Sequence, residues 1–362
     1  MKLGAIARLR CGWFVLHAEL RRRWLAVCPR DEADYASFEV LEQRTFAFEA
    51  LLKRQRIGLA SNGIEVERGS ALEAACLVAV DLNYQHKAGA PSDPCEDLRP
   101  ALRVVVGLRQ LIEMILRAEK HREFSELVPH LHLLNKGSAP QNVPAPPTDQ
   151  ASNKLLELLI ALAALRDGTD LDLDDPNHSA GGKHPDVIVS MPDGRRWGFE
   201  CKVVHGDASM SLFELIERGI KQIDAAPVDI GMVVLNFKNR LPHDQLFSIV
   251  GRDTNGEPVY GAPRSKKEVM QSLYQFGEGR LRAMATHVSY SVVVKAFEGS
   301  KALPGVLVVC EAGVPLNTPR GPAASLVGIT HLIHLEAPEA KSRFTPSVNA
   351  VFRSLNDAMH LR

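Results

Sequence analysis

Residues 184–204 constrain the fold of this chain more than any other stretch, because their sequence predicts two strands joined by a tight turn. The turn is Pro192-Asp193-Gly194, and Asp-Gly between two apolar runs is a strong hairpin signal. Asp186 opens the first strand, while Glu200 and Lys202 lie towards the end of the second. Because side chains alternate between the two faces of a strand, Glu200 and Lys202 share one face, roughly 6.6 Å apart along the strand.

The three charged residues of this hairpin require partners. Two carboxylates and an ammonium on one face of a sheet are costly to bury alone. A divalent cation is one candidate partner, and the alternative is a cross-strand cluster of salt bridges on a solvated face. Cys201 alternates with Glu200 and Lys202, so it points to the opposite face and into the predicted core.

Length and charge limit the class of protein. The 362 residues allow two or three domains at about 150 residues each. The chain has 43 basic and 43 acidic residues, so its formal net charge is zero and global charge gives no argument for nucleic-acid binding. Any basic surface that binds a polyanion must therefore be local.

The six cysteines show no CxxC pair and no regular spacing. This pattern argues against a zinc module or a disulfide framework and is typical of a protein from a reducing cytoplasm. No segment has the ~18 uninterrupted apolar residues that a membrane span needs. We therefore expect a cytoplasmic protein without a membrane-spanning segment.

Residues 1–136 are predicted to form an all-α bundle of four or five helices. One helix is expected at residues 36–56, where apolar residues recur at helical spacing. A capping box at Ser70-Ala71-Leu72-Glu73 opens the next helix, and a long helix is expected from Cys95 or Leu98 to His121. Residues 137–151 contain four prolines and no periodicity, and are predicted to be a semi-extended linker.

Residues 152–362 change to a mixed α/β pattern. The first helix, at 153–166, is apolar nearly all round, which is typical of a buried helix. Glu157 is its only acid, and an ordinary i,i+3 pair with Lys154 is the alternative to a functional role. The elements expected next are a strand at 169–174, the two hairpin strands, a helix at 209–226, a strand at 228–237, a helix at 266–297, strands at 304–311 and 325–335, and a C-terminal helix from Thr345-Pro346 to about 360.

The motif Pro185-Asp186, thirteen intervening residues and then Glu200-Cys201-Lys202 resembles the PD-(D/E)xK signature of the restriction-endonuclease-like nuclease superfamily. The resemblance covers residues 152–240 and includes the order helix, strand, strand, strand, helix, strand. Glu339-Ala340-Lys341 matches the tripeptide alone, without surrounding strands. The resemblance implies an α/β restriction-endonuclease-like domain with a central mixed β-sheet flanked by helices.

The resemblance also implies hydrolysis of phosphodiester bonds with Mg²⁺, for which Mn²⁺ can substitute. Asp186, Glu200 and the backbone carbonyl of Cys201 would supply oxygen ligands, which Mg²⁺ prefers. Lys202 would orient the attacking water or neutralise the scissile phosphate. Members of the family often carry a further glutamate on the helix before the sheet, and Glu157 is the matching residue, which would permit a second metal.

The helix at 209–226 has a polar face that includes Arg218, Lys221 and Gln222. The family often places a glutamine or a basic residue on this helix, so Gln222 is a candidate catalytic residue, and Lys221 and Arg218 are candidate substrate contacts. Lys238 and Arg240 follow the next strand and are candidate phosphate contacts. The alternative for each is an ordinary solvated side chain.

Taken with the resemblance, these residues favour a metal-dependent endonuclease that acts on nucleic acid. DNA is the default substrate of the family, RNA stays open, and restriction or phage defence is the implied setting. Residues 1–136 would recognise substrate, form a homodimer or bind a partner protein. One alternative is a non-catalytic nuclease-like fold that binds nucleic acid or protein. A weaker one places the function in the helical half, where Arg117 and His121 suggest the Arg/His pair of helical ribonucleases with a spacing one residue short.

Overall fold

The computed structural model describes residues 59–60, 63–88, 97–176, 184–318, 321–336 and 342–360. The helix predicted at 36–56 lies outside these residues, so the all-α bundle predicted for 1–136 is described only from residue 59 onwards. The described elements, in chain order, are α1 (Ala71–Ala88), α2 (Arg99–Ala118), α3 (Val128–Leu131), α4 (Gln150–Ala164), β1 (Thr169–Leu173), β2 (Val187–Ser190), β3 (Arg196–Val203), α5 (Ser209–Ala225), β4 (Ile230–Asn236), α6 (His243–Leu246), β5 (Ile249–Arg252), β6 (Pro258–Tyr260), α7 (Lys266–Val288), α8 (Tyr290–Ala296), β7 (Ala302–Thr318), β8 (Gly321–His334) and α9 (Pro346–Met359). Short 3₁₀ helices flank α3 at Arg122–Leu127 and His132–Asn135.

A mixed six-stranded sheet forms the centre of the fold, with the strand order β1-β2-β3-β4-β7-β8. The first three strands alternate in direction, β3, β4 and β7 run parallel, and β8 returns antiparallel to β7. The prediction of an α/β domain with a central mixed sheet flanked by helices is confirmed. The β5–β6 hairpin, which forms a separate two-stranded sheet, was not predicted.

Helices cover both faces of the sheet. On one face α4 and α9 pack against a layer that includes Trp197, Phe199 and Cys201. On the other face α5 and α7 pack against a layer that includes Val233 and Val308. Because both faces are covered, the face that carries Glu200 is not the solvated surface that the salt-bridge alternative assumed.

Residues 137–151 differ from the predicted semi-extended linker. Gln141 and Asn142 are buried, and so is Ala139. The Asn142 side chain donates a 2.9 Å hydrogen bond to the carbonyl of Arg103, and the Gln141 side chain donates a 3.1 Å bond to the carbonyl of Ser152. These bonds fasten the segment between α2 and α4, so we correct the predicted spacer to a packed connection.

The described helices before this connection share an apolar core with the sheet domain. Leu108 and Ile112 of α2 belong to the same buried cluster as Leu155 and Leu159 of α4. In the described residues, the predicted boundary between a domain at 1–136 and a domain at 152–362 therefore does not separate two cores.

Candidate functional site

The predicted hairpin forms with the predicted pairing. β2 and β3 are antiparallel from Val187 opposite Phe199 to Ser190 opposite Arg196. The turn closes with a 3.0 Å hydrogen bond from the N–H of Met191 to the carbonyl of Arg195, and Gly194 has φ +78°, a left-handed conformation that favours glycine. This register leaves Asp186 just before β2, beside the second half of β3.

Asp186 is held at the strand edge where β2 begins. Its Oδ2 accepts a 2.8 Å hydrogen bond from the backbone N–H of Cys201. Because the N–H and C=O groups of one strand residue point to the same edge, the Cys201 carbonyl also faces this edge. Two of the predicted ligands, the Asp186 carboxylate and the Cys201 carbonyl, are thus on one side of β3.

Glu200 is completely buried, with 0 % of its surface exposed. It faces Gly219 of α5, where a Cβ atom would come within 3.2 Å of the Glu200 Cγ. Its Oε1 accepts a hydrogen bond from the ammonium of Lys202, whereas its Oε2 has no hydrogen-bond partner among the described residues. A buried carboxylate oxygen without a partner is costly, so a ligand at this position would be favoured.

The electrostatics of Glu200 and Lys202 reflect this burial. Burial raises the pKa of Glu200 to about 8, the charge of Asp186 adds to the rise, and Lys202 opposes it. Burial would lower the pKa of Lys202, but the charges of Glu200 and Asp186 outweigh it and leave the pKa raised. Lys202 therefore stays an ammonium, which suits a role in neutralising charge.

Glu157 reaches the same site from α4. It is 4 % exposed, and the ammonium of Lys154 lies 3.0 Å from its Oε1. The same ammonium lies 3.4 Å from Asp174 Oδ2 and 3.7 Å from Asp186 Oδ1. Burial and the charge of Asp186 raise the pKa of Glu157 well above its usual range.

His130 is a member of the site that the sequence did not indicate. It lies on α3, is buried, and its Nε2 is 3.0 Å from Glu157 Oε2. Burial and the charge of Lys154 lower the pKa of His130 to about 4, so the imidazole is neutral near pH 7 and can donate from Nε2. No local pattern distinguishes His130 from the other histidines of the chain, and Asp174 was likewise missed.

The cluster carries more acids than bases. Four carboxylates (Glu157, Asp174, Asp186 and Glu200) face two ammonium groups (Lys154 and Lys202), so two negative charges are in excess when all are ionised. Burial is the largest cause of the raised pKa values of Glu157 and Glu200, and the negative charge of Asp186 adds to both.

The donor set can be tested for its fit to a hard cation. Across the described residues, no group of three or more His, Cys, Asp or Glu side chains is arranged to hold a metal ion. The available protein oxygens are two carboxylates and one carbonyl, which is the kind of set that suits Mg²⁺ because that ion keeps several of its waters. The unpartnered Oε2 of Glu200 and the excess negative charge fit such an ion.

Lys238 does not lie where a phosphate contact requires. Its side chain is 0 % exposed, and its ammonium is 2.7 Å from Ser152 Oγ and 3.2 Å from Gln141 Oε1. Burial lowers its pKa to about 8. An ammonium with no exposed surface cannot meet a nucleic-acid backbone, so the prediction of Lys238 as a substrate contact is corrected to a structural role.

Arg240 lies at the rim of the site, about one-third exposed, in an ion pair with Asp207. Arg280 of α7 also contacts Asp207, at 3.1 Å. The loop after β3 thus holds two guanidinium groups together, and Arg280 joins Arg240 as a candidate phosphate contact.

The polar face of α5 carries three of the predicted site residues, Arg218, Lys221 and Gln222. Arg218 and Lys221 are exposed and Gln222 is half-buried. Within the described part of the chain, no hydrogen bond or ion pair joins these three side chains to Glu200 or Lys202, and Arg218 bonds instead to the carbonyl of Glu214 at 3.3 Å. Gly219 of α5 lies against Glu200, since a Cβ atom there would come within 3.2 Å of the Glu200 Cγ, and the role predicted for Gln222 stays a prediction.

Comparison with known proteins found no relative. The chain matches no protein-family model, no curated protein and no solved structure. Among the helices that the structure describes, none combines the length and hydropathy required to cross a membrane.

Proposed function

We propose that this chain is a Mg²⁺-dependent nuclease of the PD-(D/E)xK type that hydrolyses phosphodiester bonds, with DNA as substrate. One observation carries the proposal. Glu200 is fully buried, lies beside Asp186 and Lys202 at the position that the signature motif predicts, and has no partner for Oε2 within the described ranges. A buried acid of this kind is typical of a functional site.

The order of elements supports the proposal. Helix α4, strands β1 to β3, helix α5 and strand β4 follow each other as the resemblance requires. The mixed sheet also has an antiparallel β2–β3 pair followed by a parallel β3–β4 pair. This topology supports the proposed site because Asp186, just before β2, lies beside the part of β3 that carries Glu200 and Lys202.

The protein oxygens that would hold the cation are those of Asp186, Glu200 and the Cys201 carbonyl. Mg²⁺ bound there would polarise the scissile phosphate and lower the pKa of a water near it. The chain itself contributes orientation: the Cys201 N–H fixes the Asp186 carboxylate, and Gly219 lets α5 approach Glu200 closely.

Lys202 is the proposed partner of the scissile phosphate. Its raised pKa keeps the ammonium charged, which favours neutralising the phosphate and orienting water over removing a proton. Glu157 is held by Lys154 and His130, and we propose that it supports the site from α4. It could bind a second metal ion only after release from these two partners.

The proposed path of the nucleic acid passes the rim next to the loop after β3. Arg240 and Arg280 contribute two guanidinium groups there. The carboxylate of Asp207 neutralises one of their two positive charges. Guanidinium groups bind phosphate through several donors at once. Arg218 and Lys221, exposed on α5, are more distant candidates for the same polyanion.

A second candidate function is supported by a specific observation. Lys202 pairs with Glu200, and Lys154 pairs with Glu157 and lies 3.7 Å from Asp186, so each proposed acid has an internal cation nearby. A charge cluster that is partly neutralised by its own lysines also fits a non-catalytic nuclease-like fold that binds nucleic acid or protein.

Two measurements on the purified chain separate these functions. The first is cleavage of plasmid, linear duplex DNA, single-stranded DNA and RNA, each with Mg²⁺ and with EDTA. The second is calorimetric titration of Mg²⁺ and Mn²⁺. A nuclease cleaves at least one substrate only with Mg²⁺ and binds the ion, whereas binding of nucleic acid with neither cleavage nor metal binding favours the non-catalytic fold.

A further inference from the structure

Lys154 occupies a position that the PD-(D/E)xK signature does not describe. It extends from the start of α4, its side chain is 24 % exposed, and its ammonium lies within 4 Å of Glu157, Asp174 and Asp186. It is therefore an internal cation of the acidic cluster, in addition to Lys202.

The two oxygens of Asp186 have different partners. Oδ2 accepts the hydrogen bond from the Cys201 N–H, whereas Oδ1 is the oxygen that lies 3.7 Å from the Lys154 ammonium. The oxygen that the backbone N–H does not take is thus the one that Lys154 faces, and the Glu157 carboxyl group also lies against the Asp186 carboxylate. At Glu200 the arrangement is similar, because Lys202 takes Oε1 and the described residues offer no partner to the buried Oε2.

We propose that Lys154 is a built-in competitor of the divalent cation, which holds Asp186 and Glu157 while the site is empty and is displaced when the cation binds. The inference rests on the proposed function, because it needs a cation at Asp186 and Glu200. Two positive charges that share one carboxylate oxygen repel each other, so the ammonium and the ion exclude each other at Asp186 Oδ1.

Displacement of Lys154 does not require movement of the backbone. Lysine carries its charge on a flexible four-carbon stem, and the side chain is partly exposed, so the ammonium can turn outward. Once released, it becomes available to a phosphate of the bound nucleic acid. Nucleic acid and the cation are then expected to favour each other's binding, because both favour the released position of Lys154.

The opposing interpretation is that Lys154 is a fixed structural ion pair that orients Asp186 for the metal. The two interpretations predict opposite changes in metal affinity when the charge of Lys154 is removed. If Lys154 competes, removing its charge strengthens metal binding. If Lys154 orients Asp186, removing its charge weakens metal binding because the carboxylate loses its alignment.

The test is calorimetric titration of Mn²⁺ into the full chain after treatment with EDTA and buffer exchange. Four proteins are compared: the parent, Lys154→Met, Lys154→Arg and Lys295→Met. Methionine retains the length of the stem without its charge, and arginine retains the charge. Lys295 is exposed on α8, so its replacement controls for loss of a lysine outside the cluster. Thermal unfolding of each protein, with and without Mn²⁺, provides a second readout and verifies folding.

We expect Lys154→Met to bind Mn²⁺ about tenfold more tightly than the parent, with Lys154→Arg and Lys295→Met close to the parent. Mn²⁺ should also raise the unfolding temperature of Lys154→Met by more than that of the parent. Equal or weaker binding by a folded Lys154→Met, when the parent binds the ion, overturns the competition but leaves the nuclease proposal standing. Failure of every folded variant and of the parent to bind Mn²⁺ overturns both.

Discussion

Asp186 and Cys201 are joined by a hydrogen bond of 2.8 Å from the backbone N–H of Cys201 to the Oδ2 of the Asp186 carboxylate. This bond connects the two strands at the point where their regular ladder ends, since the last described pair is Val187 opposite Phe199. It fixes the direction of the Asp186 side chain without using its second oxygen. The carboxylate is thereby oriented towards Lys154 and the acidic cluster.

The pKa of Glu200 predicts how the stability of the cation-free protein depends on pH. In the folded chain this pKa is about 8, against 4.5 for an ordinary glutamate, so between these values the unfolded state binds fewer protons than the folded state. The free energy of unfolding therefore falls as pH rises through this range, by an amount on the order of a few kcal/mol. Glu157, whose pKa is also raised, acts in the same direction.

Other titrating groups restrict the pH range in which the effect of Glu200 on stability can be measured. His130 has a folded pKa of about 4, below its ordinary 6.5, so it increases stability as pH rises to about 6.5. Lys238 has a folded pKa of about 8, below its ordinary 10.5, so it increases stability only above about pH 8. Glu311 has a folded pKa of about 7, above its ordinary 4.5, so it lowers stability as pH rises to about 7. The informative window is therefore between about pH 7 and pH 8.

Urea unfolding in EDTA at closely spaced pH values measures this effect. We expect the free energy of unfolding to fall from about pH 7 to pH 8 in the parent, and to fall less in Glu200→Gln. Glu311→Gln should retain the fall above pH 7 and so serves as the matched control. A flat or rising free energy in the parent across this window would contradict the assigned environment of Glu200.

Gly219 is expected to be intolerant of a side chain. A Cβ atom there would lie 2.9 Å from Val233 Cγ2 and 3.2 Å from Glu200 Cγ. Alanine favours a helix over glycine by about 1 kcal/mol, but overpacking costs about 1–3 kcal/mol, so Gly219→Ala should destabilise the protein or leave it unimproved. It should also lower the affinity for Mn²⁺ because Glu200 must shift.

Gly279 provides the matched substitution. It also lies inside a helix, α7, but a Cβ atom there would meet no atom of the described residues within 4 Å. Gly279→Ala should therefore stabilise the protein by about 0.5–1 kcal/mol and leave Mn²⁺ affinity unchanged. Urea unfolding and calorimetry measure both quantities, and a Gly219→Ala protein that gains as much stability as Gly279→Ala would disprove the close approach of α5 to Glu200.

Lys238 is expected to affect stability and not nucleic-acid affinity. Replacement by alanine removes the ammonium that joins Ser152 and Gln141 and leaves a cavity, which should cost about 2–4 kcal/mol. Arg240→Ala, at the rim, should change stability by less than about 1 kcal/mol and weaken DNA binding. Urea unfolding measures the stability of both variants, and fluorescence anisotropy with duplex DNA measures their DNA affinity. A Lys238→Ala protein that keeps its stability but binds DNA more weakly would restore Lys238 as a substrate contact.

Local patterns in the sequence were sufficient for the hairpin and its neighbours. Apolar alternation and the Asp193-Gly194 turn predicted β2 and β3, and helix α5 begins and ends within a residue of its predicted bounds. The start of α4 was displaced because Asp149, not Ser152, is the capping residue: its Oδ1 accepts a 2.8 Å hydrogen bond from the Ser152 N–H. The single helix predicted at 266–297 is divided into α7 and α8 at Ser289, which has φ +84°.

Contacts between residues that are distant in the chain could not be predicted from local sequence patterns. His130 meets Glu157 across 27 positions of the chain, and nothing near His130 in the sequence indicates an acid partner. Lys238 was expected at the surface because a lysine after a strand is usually solvated, yet residues 137–151 cover it. The prolines of that segment correctly predicted irregular structure. Whether the segment is buried depends on which elements pack against it, and composition alone does not predict those contacts.

The most direct test of the account is Mg²⁺-dependent cleavage of DNA by Glu200→Ala and Glu200→Gln beside the parent. Glu298→Ala, an exposed acid outside the site, is the control, and thermal unfolding verifies that each protein is folded. We expect the parent and Glu298→Ala to cleave DNA with Mg²⁺ and not with EDTA, while both Glu200 variants lose roughly a hundredfold or more of the rate. Folded Glu200 variants that cleave DNA as fast as the parent would contradict it.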